Sequence, residues 1–251
     1  MNYQFVDLMH YYLHACSAKD DLKRSIKKIL DKYRWTSALD CSCGTGFTLL
    51  DLIKDGYRIT CADGSQDMLK RFEINAASMG LDIKPLCINW LDLGKIFDRT
   101  FDLVMCRGNS LVYANVWDAE AVCNNHSVIA TCVGNMFSTV RPGGILYVDI
   151  PSEEHLKSDE VKTANYRPVV VDGCTVQVNE VIWNDSTRRV RKWEVDITVN
   201  EHTYNFTRYS RHIYEDEFTD ILKTTGFEDI ERHNVVGERN HYSVFSARRP
   251  S

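Results

Sequence analysis

Two glycines placed just after a short apolar run constrain the fold of this chain more than any other feature. Gly44 and Gly46 stand in the stretch LDCSCGTGF, residues 39–47, where a buried strand is expected to turn into a helix. Glycine lets the backbone pass close to a ligand because it has no Cβ. In open α/β sheets such turns lie at the carboxyl ends of the strands, where ligands bind. The stretch therefore predicts a ligand-binding loop.

The residues around the glycines exclude several kinds of site. After Gly46 the chain reads FTL, so the third glycine of a dinucleotide fingerprint is missing, and no G-K-[ST] follows for a phosphate loop. Cys41 and Cys43 are one residue apart, which matches neither a C-x-x-C redox pair nor the usual zinc spacing. We expect both thiols to fill space in the core, and we expect no metal site.

An acidic residue at the end of the second predicted strand indicates the class of ligand. Asp63 closes the run ITCAD, and a carboxylate in that position can accept hydrogen bonds from both hydroxyls of a ribose. Taken alone, Asp63 is better interpreted as a turn or capping residue before the helix that begins near Gln66. Together with Gly44 and Gly46 it predicts a site for a nucleoside without phosphates.

The first part of the chain alternates short apolar runs with helical patterns, which is typical of βαβ units around a mostly parallel sheet. The predicted strands are residues 38–43, 57–63, 84–89, 101–106 and 145–150, and the predicted helices are residues 47–55, 66–79 and 119–140. From about Tyr166 apolar and polar residues alternate between turn signals, which predicts an antiparallel meander. Residues 216–225 follow as a helix, and residues 227–236 and 241–249 as closing strands.

Composition and charge narrow the choice of partner. The formal net charge is -5, so we expect no broad attraction to nucleic acid. No apolar stretch reaches the roughly 18 residues of a membrane-spanning helix, so no membrane insertion is expected. The nine cysteines are scattered singly, which indicates a reducing cytoplasm. A small molecule is the expected partner.

Five stretches taken in order, LDCSCGTG, ADGSQDML, INWLDL, CRGNSLVY and RPGGILYVDI, resemble the class I S-adenosylmethionine-dependent methyltransferases, and in particular the glycine N-methyltransferase group. The resemblance covers about residues 11–246. It implies S-adenosylmethionine as the cofactor and S-adenosylhomocysteine as its product. The glycine loop and the acidic strand end are shared by the whole superfamily, whereas the pairs NW and GNS are narrower signals.

The resemblance also implies a set of cofactor-binding residues. Cys43 and Gly44 would line the methionine part, Asp63 would hold the ribose, and Ser65 and Met68 would face the adenine. The other residues that it places around the cofactor are Gly46, Gly64, Asn89, Trp90, Leu91, Cys106 and Arg107. Trp90 and Met68 could instead be ordinary packing residues, as aromatic and methionine side chains on such faces often are.

On the acceptor side the chain departs from the family pattern. Asn109 and Tyr113 stand where the glycine-methylating enzymes carry an Asn and a His that face the acceptor amine, and Tyr11 aligns with their substrate-side Tyr. Where the family carries two arginines, one of them gripping the glycine carboxylate, this chain has Pro151 and Ala18. Burying a carboxylate without a guanidinium is costly, so we do not expect glycine itself to be the acceptor.

Methyl transfer from a sulfonium is an in-line displacement that needs an aligned lone pair and the exclusion of water. A protonated amine must first lose its proton, and a tyrosine or carboxylate could accept it. The candidates are Tyr113, Asp149 and Tyr11, with Asn109 orienting the acceptor through its amide. Asp149 could instead be a capping residue at a strand end, and Tyr113 a packing ring.

We therefore expect an enzyme, a small-molecule N-methyltransferase of an amine or guanidine. A small-molecule O-methyltransferase and a catalytically inactive methyltransferase-like binding subunit are the alternatives. Glu153, Glu154 and Glu180 could favour a cationic acceptor or could simply be solvated. Whether the chain is a monomer or a homo-oligomer is left open.

The expected fold class is α/β, a doubly wound Rossmann-like sheet with an inserted antiparallel β meander over the active site. The expected segments are residues 1–37, an amino-terminal helical lid; 38–150, the cofactor-binding core; 151–213, the inserted substrate cover; and 214–251, a helix and the closing strands of the core.

Overall fold

The computed structural model describes residues 3–97, 100–114, 126–157, 159–233, 235 and 242–251. The helices are α1 Phe5–Cys16, α2 Lys19–Leu30, α3 Leu49–Lys54, α4 Gln66–Ser78, α5 Leu93–Ile96, α6 His126–Thr139, α7 Glu153–Leu156 and α8 Glu215–Thr225. The strands are β1 Ala38–Asp40, β2 Ile59–Asp63, β3 Leu86–Cys87, β4 Phe101–Cys106, β5 Val140–Pro151, β6 Lys162–Asn165, β7 Val169–Val171, β8 Cys174–Asp185, β9 Val190–Val199, β10 His202–Arg211, β11 Glu228–His233 and β12 Tyr242–Arg248.

The larger sheet has seven strands in the order β11-β12-β5-β4-β1-β2-β3. Strands β1 to β5 pair in parallel, and β12 and β11 close one edge in antiparallel pairing. The order reverses direction at β1, so the sheet is doubly wound and has a crevice at the carboxyl ends of its central strands. The smaller sheet is antiparallel and contains β6 to β10. Both parts of the expected fold class are confirmed.

Helices cover both faces of the parallel sheet, which explains why its central strand β4 is apolar from Leu103 to its end. Along β4, Val104 and Cys106 belong to the core cluster that contains α6 and α8. Leu103 and Met105 belong to the opposite cluster, which contains residues of α2, α3 and α4. Because successive side chains of a strand point to opposite faces, β4 supplies both layers of the core.

The observed bounds differ from the predicted ones mainly at the loops. Strand β1 ends at Asp40 rather than at residue 43, because the next residues form a loop with positive φ angles at Gly44, Gly46 and Thr48. The predicted helix 119–140 is observed from His126 to Thr139, and residues 119–125 lie outside the described part of the chain. The closing strands are observed over fewer residues than predicted, and residues 234, 236 and 241 also lie outside it.

The antiparallel sheet buries one face against the first helix. Val176, Val178 and Val195 on the inner face pack with Leu8 and Tyr12 of α1 in a third core cluster. Helix α2 instead packs with the helices on the parallel sheet. The two helices before residue 38 thus cover different sheets, and the four expected segments of the chain remain a prediction.

A polar network ties the antiparallel sheet to the core. Asp172, in the turn between β7 and β8, accepts a hydrogen bond from Arg71 of α4 and lies 3.2 Å from the Nε2 atom of His10. Asn75 of α4 lies 3.3 Å from the other ring nitrogen of His10 and donates to the Thr45 carbonyl at 2.8 Å. The network therefore reaches from the insertion to the glycine loop.

None of the described helices combines the length and the apolar character needed to cross a bilayer.

A buried histidine gives the fold a defined response to pH. His212 follows β10, is 0% exposed, and has no hydrogen-bond partner for either ring nitrogen among the described residues. Burial, aided by the charges of Arg189 and Arg191, lowers its pKa to about 4. The unfolded chain therefore takes up a proton at this residue between pH 6.5 and pH 4, and the folded chain does not.

We predict that this difference lowers the free energy of unfolding by about 2 kcal/mol between pH 7 and pH 5. Urea denaturation at the two pH values measures it in the wild type and in His212→Phe, where the pH dependence should shrink by that amount. The control is His202→Phe, at the exposed start of β10. An unchanged pH dependence in His212→Phe would contradict the prediction.

Candidate active site

A cavity of about 470 Å³ opens at the carboxyl ends of the central parallel strands. Its walls come from the loops after β1, β2 and β4, from α1, and from β9 and β10 of the antiparallel sheet. A volume of this size is typical of sites for small molecules. Two ends can be distinguished, a crevice between the loops after β1 and β2 and a compartment under the antiparallel sheet. We call them the nucleoside end and the acceptor end.

The two glycines of the loop have different roles. Gly44 has φ +52° and borders the cavity, and a Cβ added there would meet no atom within 4 Å. Gly46 has φ +85°, and its Cβ would lie 2.7 Å from Leu50 and 3.0 Å from Phe72. Gly46 does not line the cavity, because it faces α3 and α4 instead. Its role is to let the loop pack closely on these helices.

We predict that Gly46→Ala lowers the free energy of unfolding by about 3 kcal/mol, because it combines backbone strain with overpacking. Gly80→Ala is the matched control, since Gly80 has φ +74° but open space around its Cβ position. That variant should lose about 1 kcal/mol from strain alone. Equal losses measured by urea denaturation would argue against the packing role of Gly46.

Asp63 is held at the nucleoside end by the loops on either side of it. One carboxylate oxygen accepts from the Gly44 amide at 2.9 Å and the other from the Ser65 amide at 2.9 Å. Burial raises the pKa of Asp63, and these two amide donors counteract part of the increase. Ser65, not Asp63, is the N-cap of α4. Each carboxylate oxygen keeps acceptor capacity for a further donor, such as a ribose hydroxyl.

The other wall of the nucleoside end combines Met68, Asn89 and Trp90. The Trp90 indole donates to the Cys41 carbonyl at 2.7 Å, so the ring has a fixed orientation while it lines the cavity. The Asn89 side chain accepts from the Leu91 amide at 2.9 Å and caps a short 3-10 turn. Leu91 itself is 41% exposed and lies outside the cavity.

A buried ion pair lies beneath the centre of the cavity. The Nε atom of Arg107 donates to Asp40 at 2.9 Å, and both side chains are almost fully buried. Burial alone would lower the pKa of Arg107, but the charge of Asp40 more than offsets this, and the pKa is raised. Arg107 lines the cavity, whereas Cys106 is 0% exposed in the core and does not.

Tyr113 lies at the acceptor end, where it lines the cavity. Burial raises the pKa of its hydroxyl, and the charges of Arg191 and Arg208, together with a hydrogen bond to Ser210, reduce the increase. The hydroxyl is therefore protonated at neutral pH, which makes it a poor base but leaves it able to orient an acceptor through hydrogen bonding. The other described side chains at this end include Phe5, Tyr12, Phe47, Ser110, Trp193, Arg208 and Tyr242.

Three residues predicted to be catalytic do not line the cavity. The Asp149 carboxylate accepts from the backbone amides of Gly108 and Asn109, which fixes the loop after β4, and burial raises its pKa to about 6. Asn109 is 2% exposed and has φ +57° within that loop. Tyr11 packs against the antiparallel sheet, with its hydroxyl 4.0 Å from the Cys174 sulfur. These placements favour supporting roles, and a direct catalytic role stays a prediction.

The remaining predicted cofactor residues, Cys43, Gly44, Asp63, Gly64, Ser65, Met68, Asn89, Trp90 and Arg107, all line the one cavity. Sequence reasoning missed Thr45, a residue that lines the same cavity and whose buried hydroxyl has no hydrogen-bond partner among the described residues. An open glycine loop, a carboxylate with spare acceptor sites and an unpartnered hydroxyl together fit S-adenosylmethionine. When bound, this cofactor supplies an electrophilic methyl group.

Sequence comparison identifies the class. A protein-family profile described as a methyltransferase domain matches residues 38–144. Glycine N-methyltransferase of Mus musculus is 30% identical over 225 residues, which span 81% of this chain and 73% of the mouse protein. The corresponding protein of Rattus norvegicus is 32% identical over 127 residues, which span 48% of this chain and less than half, 42%, of the rat protein.

A solved structure shares the whole fold. The S-adenosylmethionine-bound structure of CalS10, an amino pentose methyltransferase from Micromonospora echinaspora, superposes with a TM-score of 0.72 at 17% identity and covers 99% of this chain and 98% of that chain. The chain belongs to the class I S-adenosylmethionine-dependent methyltransferases. Within that class its sequence relatives include glycine N-methyltransferases.

We predict that Asp63→Ala weakens S-adenosylmethionine binding by about 1–3 kcal/mol, because it leaves two ribose hydroxyls without their acceptor. Isothermal titration calorimetry measures the dissociation constant. Asp67→Ala is the control, since the Asp67 side chain is 62% exposed one turn further along the chain. An Asp63→Ala variant that binds the cofactor as tightly as the control would remove the ribose assignment.

Proposed function

We propose that this methyltransferase transfers the methyl group to the nitrogen of a small-molecule amine other than glycine. The observation that carries the proposal is the continuity of the cavity. The nucleoside end, at Asp63 and Trp90, leads past Arg107 into the acceptor end at Tyr113 and Trp193. A donor bound at one end would thus present its methyl group to a molecule held at the other.

The surroundings of the acceptor end favour an amine in its reactive form. Aromatic side chains of α1, of β9 and of the loop after β4 form much of the wall, and such walls exclude water. Burial disfavours the charged form of an amine, so an ammonium ion entering this compartment loses its proton more readily than it does in water. The neutral amine then has the lone pair that the displacement needs.

The residues found at the two positions where the family carries arginines do not support glycine as the acceptor. Pro151 ends β5 and pairs with Tyr242 of β12, and Ala18 is the N-cap of α2. Neither residue lines the cavity. The mouse and rat relatives are named for glycine, but this chain has no guanidinium at either position to hold a glycine carboxylate.

A guanidine acceptor has less support than an amine. Both oxygens of Glu180 already accept hydrogen bonds, one from Tyr166 at 2.8 Å and the other from Tyr12 at 2.8 Å and Trp193 at 3.0 Å. Glu153 and Glu154 belong to α7 and do not line the cavity. Glu180 does not line the cavity either, so the described lining of the acceptor end holds no carboxylate for a cationic acceptor.

The structure shows no disulfide among the cysteines that it describes. This supports our further proposal that the protein works in a reducing compartment such as the cytoplasm.

The proposal is tested by incubating the purified protein with S-adenosylmethionine and a panel of primary and secondary amines, guanidines, alcohols and glycine. Mass spectrometry detects products heavier by one methyl group, and release of S-adenosylhomocysteine is measured in parallel. We predict methylated amines and little or no methylated glycine. Methylation confined to alcohols would favour O-methylation, and cofactor binding without any product would favour a binding subunit.

Tyr113→Phe tests the acceptor end in the same assay. Loss of the hydroxyl should lower kcat with little change in cofactor affinity, because Tyr113 lies away from the nucleoside end. Tyr209→Phe, on β10 but on the opposite face from Arg208 by strand alternation, is the control.

A further inference from the structure

The glycine loop is tied to helix α4 by a side-chain amide. The Nδ2 atom of Asn75 donates to the Thr45 carbonyl at 2.8 Å. Thr45 is 2% exposed and lines the cavity between Gly44 and Gly46. Both glycines have positive φ angles, and glycine populates positive and negative φ about equally. A hydrogen bond from outside the loop therefore helps to fix the direction of the Thr45 side chain.

The orientation of Asn75 follows from its neighbours. The Nε atom of Arg71 donates to the Asn75 Oδ1 atom at 3.1 Å, so the NH2 group of Asn75 faces Thr45 and the Nδ1 atom of His10, the latter at 3.3 Å. An amide nitrogen only donates, so Nδ1 of His10 accepts and the ring proton lies on Nε2. That atom lies 3.2 Å from the Asp172 carboxylate oxygen to which Arg71 also donates.

These four side chains, Arg71, Asn75, His10 and Asp172, form a closed set of hydrogen bonds that we call the polar cycle. His10 is 5% exposed, and burial, with the charges of Arg71 and His14, lowers its pKa to about 4. The imidazole is therefore neutral at pH 7 and has one donor and one acceptor. The polar cycle joins α1, α4 and the turn between β7 and β8, and a satisfied network of this kind is rigid.

We propose that Asn75 is a positioning residue for the donor site, and that His10 and Asp172 hold it in place from the side of the antiparallel sheet. The group that they position is the Thr45 hydroxyl, which is buried and lacks a hydrogen-bond partner within the described ranges. It would bind a polar group of the cofactor. Asp172 does not line the cavity, so the insertion would support donor affinity from a distance.

The role of Asn75 is tested by titrating S-adenosylhomocysteine into the protein at pH 7 in a calorimeter, without an acceptor. Asn75→Ala should raise the dissociation constant at least tenfold. Asn75→Asp should raise it at least as much, because the carboxylate has the same shape and can pair with Arg71 but has no N–H for the Thr45 carbonyl. Glu73→Ala, at an exposed position of the same helix, is the control. Wild-type affinity in Asn75→Asp would overturn the inference.

The hydroxyl is tested by Thr45→Val, which keeps the shape of the side chain. Its dissociation constant for S-adenosylhomocysteine should also rise at least threefold. Binding as tight as in the wild type would show that the Thr45 hydroxyl is not the group that Asn75 positions.

The contribution of the insertion is tested by Asp172→Ala, which we expect to raise the same dissociation constant at least threefold. Asp229→Ala is the matched control. Asp229 also has a positive φ angle, is exposed, and accepts a hydrogen bond from an arginine, Arg248, at 3.1 Å. It lies in β11, away from the polar cycle.

A double variant shows whether Asp172 acts through Asn75. If it does, adding Asp172→Ala to Asn75→Ala should weaken binding by less than twofold. Fully additive losses would overturn the route through the polar cycle. Urea denaturation of the same variants separates affinity from stability, because a cycle that only stabilises the fold would lower the free energy of unfolding and leave the affinities unchanged.

Nitrogen-15 NMR of the histidine side chains gives an independent measurement. We predict that His10 carries its proton on Nε2 at pH 7 and that its ring resonances move when S-adenosylhomocysteine is added, whereas those of the exposed His202 do not. A proton on Nδ1 would contradict the polar cycle. Failure to methylate any amine would reject the proposed function and leave all of these results interpretable, since none requires an acceptor.

Discussion

The buried ion pair between Asp40 and Arg107 is the interaction on which the site depends. It joins the end of β1 to the end of β4, and Ser42 adds hydrogen bonds to the Arg107 amide and carbonyl. Removing one partner of such a pair typically costs about 3–5 kcal/mol, because the other charge is left buried and uncompensated. The glycine loop and the loop that carries Tyr113 thus keep a fixed separation, and the cavity between them keeps its shape.

The part of the site that depends on local sequence could be predicted. Gly44, Asp63 and Ser65 lie within short motifs at the ends of adjacent parallel strands, so the topology alone brings them together. Strand β4 and helix α4 were also placed within a residue of their observed bounds, because an apolar run broken at Asp102 and a terminal glycine at Gly80 mark them clearly. Residues in such motifs become neighbours because each lies close in the chain to the end of its strand and the strands are adjacent in the sheet.

The residues that sequence reasoning misplaced or missed depend on contacts distant in the chain. Gly46 occurs in the same motif as Gly44, yet it faces Leu50 and Phe72 and not the cavity. Asp149 stands at a strand end, where sites are common, but its carboxylate is used by two backbone amides. The pairing of Trp193 with Arg208 depends on the register between β9 and β10. An alternating pattern of apolar and polar residues fits this register equally well after a shift of two residues, so it does not predict the pair.

The nucleoside end of the cavity is formed by loops of the larger sheet, whereas the acceptor end combines such loops with α1 and the antiparallel sheet. Under the proposed function, substitutions on the inner face of β9 and β10 would alter the choice of acceptor while leaving unchanged the loops proposed to hold the methyl donor. The chemistry and the choice of acceptor can therefore diverge independently during evolution. A designer could likewise vary the inner-face residues of β9 and β10 while retaining Asp172, whose contacts with Arg71 and His10 lead to the glycine loop.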